Sequence, residues 1–249
     1  MSKNVDVSVV IPTYNEKENA ELLYHELKSI LDKLKEKHEI IFVDDGSTDG
    51  SFDVLKKIAS KKDNVKLVKL AGNYGQSSAL AAGIENAEGN IIATMDSDLQ
   101  HDPKDIPGLI HKLGEGYHVV CGWRKFRGNS DSFIFKILPS KLSNFLINSL
   151  TGMKLKDSTG GMRAFRKNVT RTIPLYGEMH RYLPVLAKWK GFKVTEVPIR
   201  IRKRKHGKTK YSIFRLFRGF FDLLAIRFFT SYSTRPKTNK TYIIDELIK

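Results

Sequence analysis

Asn90-Ile91-Ile92-Ala93-Thr94-Met95-Asp96-Ser97-Asp98 is an apolar run that stops at two carboxylates. Residues 90–95 have the composition of a short buried strand, and the Asp-Ser-Asp behind them is polar enough for a turn. Two carboxylates two residues apart can face one hard cation, directly or through water. A Mg²⁺ or Mn²⁺ ion wants such oxygen ligands, with open positions that substrate phosphates complete. The alternative for the same stretch is turn chemistry, with Asp102 or Asp105 capping the next helix.

Working outward, the chain alternates between two periodicities. Upstream, strands are predicted over 7–11, 39–43 and 65–68, and helices over 16–37, 49–60 and 76–86. Leu22, Leu23, Leu27, Ile30, Leu31 and Leu34 fall on one side of the first helix. Downstream, a helix is predicted over 105–113 and a fifth strand over 118–122. Strand–helix alternation with short loops gives an α/β fold, a parallel sheet covered on both faces. Ligands of such sheets bind at the carboxyl ends of the strands.

Three polar clusters occupy those ends: Pro12-Thr13-Tyr14-Asn15-Glu16, Asp44-Asp45-Gly46-Ser47-Thr48-Asp49-Gly50, and Asp96 to Asp102. All three belong on one edge of the sheet. Asp44 and Asp45 can hydrogen-bond the N–H groups of a base or a ribose hydroxyl. Tyr14 can stack on a base and Glu16 can bind ribose. Capping and turn chemistry compete for 47–49, and Glu16 also suits a helix N-terminus. No G-x-G-x-x-G follows strand one and no G-x-x-x-x-G-K-[ST] is present, which disfavours a dinucleotide fold and a P-loop.

The 249 residues, 41% hydrophobic, suit one compact unit with a full core. The net charge of +16 is unevenly placed. Residues 1–118 hold 14 Lys/Arg and 20 Asp/Glu; residues 119–249 hold 29 and 7, a net of +22. The second half therefore calls for an anionic partner: nucleic acid, a membrane surface or a phosphorylated ligand. Residues 200–218 carry nine Lys/Arg with Gly207 among them, which suits a shaped phosphate loop. No recognised nucleic-acid module accompanies it, so nucleic acid is disfavoured. The single Cys121 excludes an internal disulfide, fits a reducing compartment, and lies in an apolar run expected to be buried.

Residues 1–6 lack a signal peptide's apolar stretch, and no stretch reaches about 20 apolar residues. The second half is expected to hold helices over 133–151 and 184–189, a loop at 157–161, a strand over 193–201 and a basic loop over 202–210. An amphipathic helix over 212–229 carries Phe214, Phe217, Phe221, Leu224 and Phe228 along one side and Arg215, Arg218 and Asp222 along another. That pattern suits a membrane interface; packing on the domain or a homo-oligomer contact is the alternative. The chain divides into a catalytic domain (1–211, with a nucleotide half 1–122 and an acceptor half 123–211), the interface helix (212–236) and a polar tail (237–249).

Val9-Val10-Ile11-Pro12-Thr13-Tyr14-Asn15-Glu16, Val43-Asp44-Asp45-Gly46-Ser47-Thr48-Asp49 and Met95-Asp96-Ser97-Asp98-Leu99-Gln100, in that order on strand ends, resemble family 2 glycosyltransferases of the GT-A type. Asn73-Tyr74-Gly75-Gln76 with residues 79–83 looks like the family's third-strand helix. Residues 157–163, Leu175-Tyr176-Gly177-Glu178-Met179-His180-Arg181 and Arg204-Lys205-His206-Gly207-Lys208-Thr209-Lys210-Tyr211 are similar to its polyprenyl-phosphate (dolichyl-phosphate) branch. That branch moves a sugar from a GDP- or UDP-sugar to the phosphate of a carrier lipid. The resemblance implies a GT-A three-layer sandwich with a mostly parallel sheet, plus the C-terminal amphipathic helix.

It implies that Pro12, Tyr14, Glu16, Asp44 and Asp45 hold the nucleotide. Asp96, Asp98 and Gln100 would hold Mg²⁺ or Mn²⁺ and the diphosphate. Arg204 would clamp the donor diphosphate, with Lys210 in the same loop. Arg124 would meet the acceptor phosphate, with Arg127 or Lys136. The implied partners are the nucleotide-sugar, the polyprenyl phosphate and a membrane surface, at the cytoplasmic face of the cell membrane and peripheral in this chain.

Two departures from the branch bear on mechanism. Ser-Gly-Phe-Arg or Gly-Asp-Phe-Arg is usual where this chain has Gly160-Gly161-Met162-Arg163. No carboxylate then occupies the position of the base in some relatives, and Asp157 is the substitute at hand. An acceptor phosphate monoester, with a second pKa of about 6, is mostly dianionic at neutral pH and needs no base. Asp157 is therefore expected to position groups. Many relatives also continue after Thr-Arg-Pro into spanning helices, whereas Thr234-Arg235-Pro236 here precedes Lys237-Thr238-Asn239-Lys240. A transferase acting on a glycan or glycolipid hydroxyl is the alternative, disfavoured by Gly161 and the basic acceptor side. A non-catalytic nucleotide-sugar or nucleic-acid binder is disfavoured by intact Asp96 and Asp98.

Overall fold

The computed structural model describes residues 5–127, 148–149, 152–157, 160–173, 175, 177, 179–202 and 244–248. Its first half runs β1 (Val7–Thr13), α1 (Lys17–Leu31), β2 (His38–Asp44), α2 (Ser51–Ala59), β3 (Val65–Leu70), α3 (Gln76–Glu85), β4 (Ile91–Thr94), a 3-10 turn (Pro103–Asp105), α4 (Ile106–Gly114) and β5 (Val119–Arg127). After it come β6 (Arg163–Arg166), α5 (Lys167–Thr172), a second 3-10 turn (Met179–Arg181), α6 (Leu183–Trp189), β7 (Val194–Ile201) and β8 (Ile244–Ile248).

One sheet has the order β7-β5-β6-β4-β1-β2-β3-β8. The block β4-β1-β2-β3 is parallel, as the strand–helix alternation requires. Successive residues of each strand feed opposite layers. Val9, Ile11, Ile40, Phe42, Leu67 and Ala93 pack with α1, α2 and α4. Val10, Ile41, Val43, Val68 and Ile92 pack with α3 and α6. The result is the expected three-layer α/β sandwich. Helix α3 lies closest to the sheet at Gly83, where a side chain would collide with Val10 and Val43.

The departures from expectation have local causes. Helix α1 stops at Leu31, not 37, because the chain must turn back so that Val7 registers with His38. The bonds Lys33 N–H to Ile30 and Leu34 N–H to Leu31 tighten that exit. Leu22 faces outward while Tyr24 takes a core position beside Leu23, Leu27 and Leu31. Strand β6 was not expected: it inserts antiparallel between β4 and β5, so those two consecutive strands are not neighbours. Residues 244–248, inside the expected polar tail, form β8, antiparallel to β3. Of the helix expected over 133–151, residues 148 and 149 are described and helical. The basic loop from 203 onward and the amphipathic helix at 212–236 lie outside the described residues. No described helix is long and apolar enough to cross a membrane.

Candidate active site

The register of the parallel strands brings the three clusters to one edge. Thr13 pairs with Asp44 across β1 and β2, and Val10 with Thr94 across β1 and β4. Asp45 N–H then bonds the Thr13 carbonyl and Met95 N–H the Val10 carbonyl. The first two loops are laced together. Asn15, at φ +53°, donates its N–H to Ser47 Oγ (3.0 Å) and accepts from Thr48 N–H (2.8 Å). Glu16 N–H bonds Ser51 Oγ (2.9 Å), and the Glu16 carboxylate accepts from Asn19 Nδ2 (2.6 Å). Pro12, Tyr14 and Glu16 are half-buried around this junction. Capping-type side chains in 47–51 thus tie loops together, while Glu16 faces the start of α1.

The adjacent carboxylates Asp44 and Asp45 differ in environment. Asp44 is fully buried; Oδ2 accepts Ser47 N–H (3.2 Å) and Oδ1 has no hydrogen-bond partner. Burial pushes its carboxyl above the usual range, with Ser47 offsetting part of the effect. An acceptor left unmatched in a buried site waits for a donor. Asp45 is also buried and raised by burial, but both its oxygens are used: Oδ1 accepts Tyr74 N–H (2.7 Å) and Oδ2 accepts Gly75 N–H (2.9 Å).

Asp96 follows β4 with its carboxylate about one-third exposed (35%). Gln76 Nε2, at the first turn of α3, donates to Oδ1 (2.7 Å). His101 Nδ1, buried and without a hydrogen-bond partner, sits 3.7 Å from Oδ2. The backbone of Gly161 closes the remaining side: a Cβ there would lie 2.8 Å from Asp96 Cγ. Glycine is what leaves room for this carboxylate. Thr94 Oγ donates to the Gly161 carbonyl (3.2 Å) and holds it there. Asp98 is buried and accepts Gln100 N–H (3.1 Å), closing a turn in which Leu99 adopts φ +60°. A left-handed leucine is held against its preference, here by full burial.

Among the described residues no three His, Cys, Asp or Glu side chains converge tightly enough to hold an ion by themselves. Mg²⁺-type sites use one or two carboxylates and are completed by a ligand's phosphates, so Asp96 and Asp98 are the oxygen donors such an ion would take. The donors are oxygens, and the absence of a side chain at Gly161 leaves room for the Asp96 carboxylate. The residues present fit such an ion.

Two residues expected on the acceptor side, Arg124 and Asp157, meet as a pair. Arg124, on β5, donates Nε to Asp157 Oδ2 (2.5 Å) and Nη2 to Oδ1 (2.9 Å). Asp157 is buried, and its N–H bonds Glu196 (3.3 Å). Nothing in the sequence links residues 33 positions apart in this way. Arg204, Lys210 and Lys136 fall outside the described residues, as does the side chain of Arg127.

Several site-building residues had not been singled out. Arg202 donates to Glu26 (2.6 Å) and to Asp102 (2.5 Å), and its N–H bonds the Gln100 carbonyl (2.8 Å). It ties the end of β7 to Gln100 and Asp102. Burial alone would raise Asp102, but Arg202 and the Lys104 N–H outweigh it and hold that carboxyl below the usual range. Arg163 is buried and donates to the His180 and Arg181 carbonyls, while Ser77 Oγ and His180 Nδ1 share a 2.7 Å hydrogen bond. The 179–181 turn is thereby fastened to α3 and β6. Gln76, Arg163 and His180 stood inside motifs quoted for the family resemblance, without a role assigned to them. Cys121 is fully buried and its thiol is pushed up to about 12, so it is inert.

The sequence profile "Glycosyl transferase family 2" matches residues 8–173. The dodecaprenyl-phosphate galacturonate synthase of Rhizobium johnstonii is 36% identical over 94% of this chain and 70% of its own length. The undecaprenyl-phosphate 4-deoxy-4-formamido-L-arabinose transferase of Pseudomonas fluorescens is 36% identical over 88% of this chain. This chain spans 63% of that relative's length. Among solved structures, glucosyl-3-phosphoglycerate synthase from Mycobacterium tuberculosis, in complex with Mn²⁺, UDP and phosphoglyceric acid, is similar at TM-score 0.67 and 21% identity, over 94% of this chain and 80% of that one. A mannosyltransferase from Pyrobaculum calidifontis in complex with GDP-Man and Mn²⁺ is similar at TM-score 0.63 and 16% identity, over 96% and 67%. These two likenesses bear on the fold, which is that of GT-A enzymes.

Proposed function

The chain belongs to the family 2 glycosyltransferases, and from that premise we propose that it moves a sugar from a nucleoside diphosphate sugar to the phosphate of a polyprenyl carrier lipid, inverting the anomeric centre. The acceptor class is supported by the two curated relatives, both named for prenyl-phosphate acceptors. One observation carries it in this chain: Asp157 has both oxygens on Arg124, and Gly161 lies against Asp96, so neither position offers a carboxylate to deprotonate a hydroxyl. An acceptor that is already an anion removes the need for one.

The residues divide the work. Asp44 Oδ1 accepts an N–H of the base, Tyr14 stacks on it, Glu16 takes the ribose and Pro12 shapes the loop. Asp45 keeps that pocket's far wall in place. Asp96 and Asp98 would hold Mg²⁺ or Mn²⁺, which supplies the positive charge that stabilises the leaving diphosphate. Gln100, with Arg204 and Lys210 from the basic stretch of the sequence, would bind the same diphosphate. Arg124, steadied by Asp157, meets the acceptor phosphate as a rigid bidentate cation. The donor is a UDP- or GDP-sugar; UDP and GDP-Man have each been found with Mn²⁺ in a solved structure of this fold. A lipid acceptor brings the protein to a membrane surface, on its cytoplasmic face, with the segment 212–236 as the expected contact.

A radiolabelled transfer assay tests this, with UDP- and GDP-sugars, short polyprenyl phosphate and the unphosphorylated prenol as acceptors. Label in a lipid phosphate product, dependent on Mg²⁺ or Mn²⁺, is expected. Transfer to a glycan hydroxyl in preference to the lipid phosphate would overturn the acceptor assignment.

A further inference from the structure

We propose that Gln76 is a positioning residue for Asp96 and that Asp45 acts through it, so that the loop after β3 couples the nucleotide pocket to the cation-holding carboxylate. This rests on the assignment of Asp96 and Asp98 to a divalent cation.

Asp96 stands on a turn beyond the end of β4, where a partly exposed Asp side chain would ordinarily sample several rotamers. Two contacts limit that freedom. Gln76 Nε2 bonds Oδ1 at 2.7 Å, and Gly161 lies against the carboxylate, where a Cβ would fall 2.8 Å from Oδ1. The orientation of the Gln76 amide is dictated by chemistry, because a carboxylate can only accept. The donor is also neutral. A Lys or Arg in its place would cancel the charge that a cation seeks, whereas an amide fixes the carboxylate and leaves its charge intact. Outer hydrogen bonds of this kind orient metal ligands and tune their affinity.

Gln76 is itself fixed from the nucleotide side. It opens α3 directly after Gly75, and the N–H groups of Tyr74 and Gly75 both end on Asp45. Asp45 is buried beside Asp44, whose Oδ1 has no hydrogen-bond partner and which is assigned above to the nucleotide. The chain of contacts therefore runs from Asp45 through residues 74–76 to Asp96, across three strand ends. It accounts for two consecutive carboxylates after β2: Asp44 serves the ligand, and Asp45 serves the loop that aims Asp96.

The test uses the full chain and Gln76→Ala, Gln76→Met, Asp45→Asn and the Asp45→Asn/Gln76→Ala double variant. Mn²⁺ binding is followed by loss of the free-ion paramagnetic resonance signal with UDP or GDP present. Metal-free nucleotide affinity and melting temperature are measured alongside. Loss of Gln76 is expected to weaken Mn²⁺ binding roughly 10–100-fold, the range for outer-shell partners of a metal ligand. Metal-free nucleotide affinity should stay within about twofold, a split that general destabilisation would not produce. Gln76→Met keeps the side chain's length without its donor and serves if Gln76→Ala misfolds. The double variant should bind Mn²⁺ as Gln76→Ala does. Wild-type Mn²⁺ affinity in both Gln76 variants overturns the inference alone, and additive losses in the double variant remove Asp45 from it. A wild-type chain that binds no Mn²⁺ with either nucleotide overturns the cation assignment beneath it.

Discussion

Replacing Asp44 with Asn should make the ligand-free protein more stable and its nucleotide binding weaker. Asp44 is fully buried, one oxygen accepts from Ser47, whose N–H lies at 3.2 Å, and the other has no partner. A buried polar or charged group left unmatched costs about 1–3 kcal/mol. Asn retains the acceptor for Ser47 and discards the charge, so about 1 kcal/mol should be recovered, or roughly 2–4 °C in melting temperature for a protein of this size. The pH dependence fixes the sign. The folded-state pKa is raised, so the native state holds its proton more tightly than the unfolded chain. Wild-type stability therefore falls as pH rises from the ordinary carboxylate value of 3.8 through the raised one. The advantage of Asp44→Asn should be full at pH 7 and shrink toward zero as pH drops to 3.8 and below. A hydrogen bond from a base N–H to a carboxylate contributes about 1.5–3 kcal/mol, so nucleotide affinity should fall roughly 10- to 150-fold. Thermal melts across pH 4–8 and calorimetric titration with UDP and GDP measure both arms. A variant less stable than wild type at pH 7, or one that binds nucleotide unchanged, would refute the reasoning.

Gly161→Ala places a methyl group 2.8 Å from Asp96 Cγ, so Asp96 must move; turnover should drop by roughly a hundredfold or more while the melting temperature changes by only a few degrees. Asp157→Asn should lose less than about tenfold in turnover, because it removes charge from a positioning contact and no proton-transfer step; a loss of thousands would make Asp157 a base. Arg202→Met breaks the links to Glu26 and Asp102, partly buried, and should cost about 1–2 kcal/mol, or roughly 2–8 °C, at pH 7. Because Asp102 is held below 3.8, its share of that stability exists above 3.8 and is lost as pH falls through its folded value, so the gap to wild type should narrow there in acid melts. Phe217→Ser together with Phe221→Ser should release the protein from anionic liposomes in a sedimentation assay, and unchanged sedimentation would exclude segment 212–229 as the contact.

The α/β alternation was legible because each of β1 to β4 is a short apolar run punctuated by polar turn residues, a pattern that local chemistry writes into the chain. The placement of Tyr14, Asp44 and Asp96 on one edge followed from it, since parallel strands put all their carboxyl ends together. Strand β6 was not legible. Arg163-Ala164-Phe165-Arg166 is too short and too charged to announce a strand, and it is one only because β4 and β5 leave a gap for it. Pairings between distant residues were equally invisible: Arg124 with Asp157, Arg202 with Glu26, Gln76 with Asp96. The sequence by itself determined which side chains reach the ligand edge, because strand period and turn chemistry are local. Tertiary structure decided what each of them does there. Asp44 and Asp45 have the same side chain and adjacent positions, yet one keeps an unmatched oxygen and the other is spent on Tyr74 and Gly75. Burial and partner geometry, which depend on what the fold packs beside each carboxylate, make that difference.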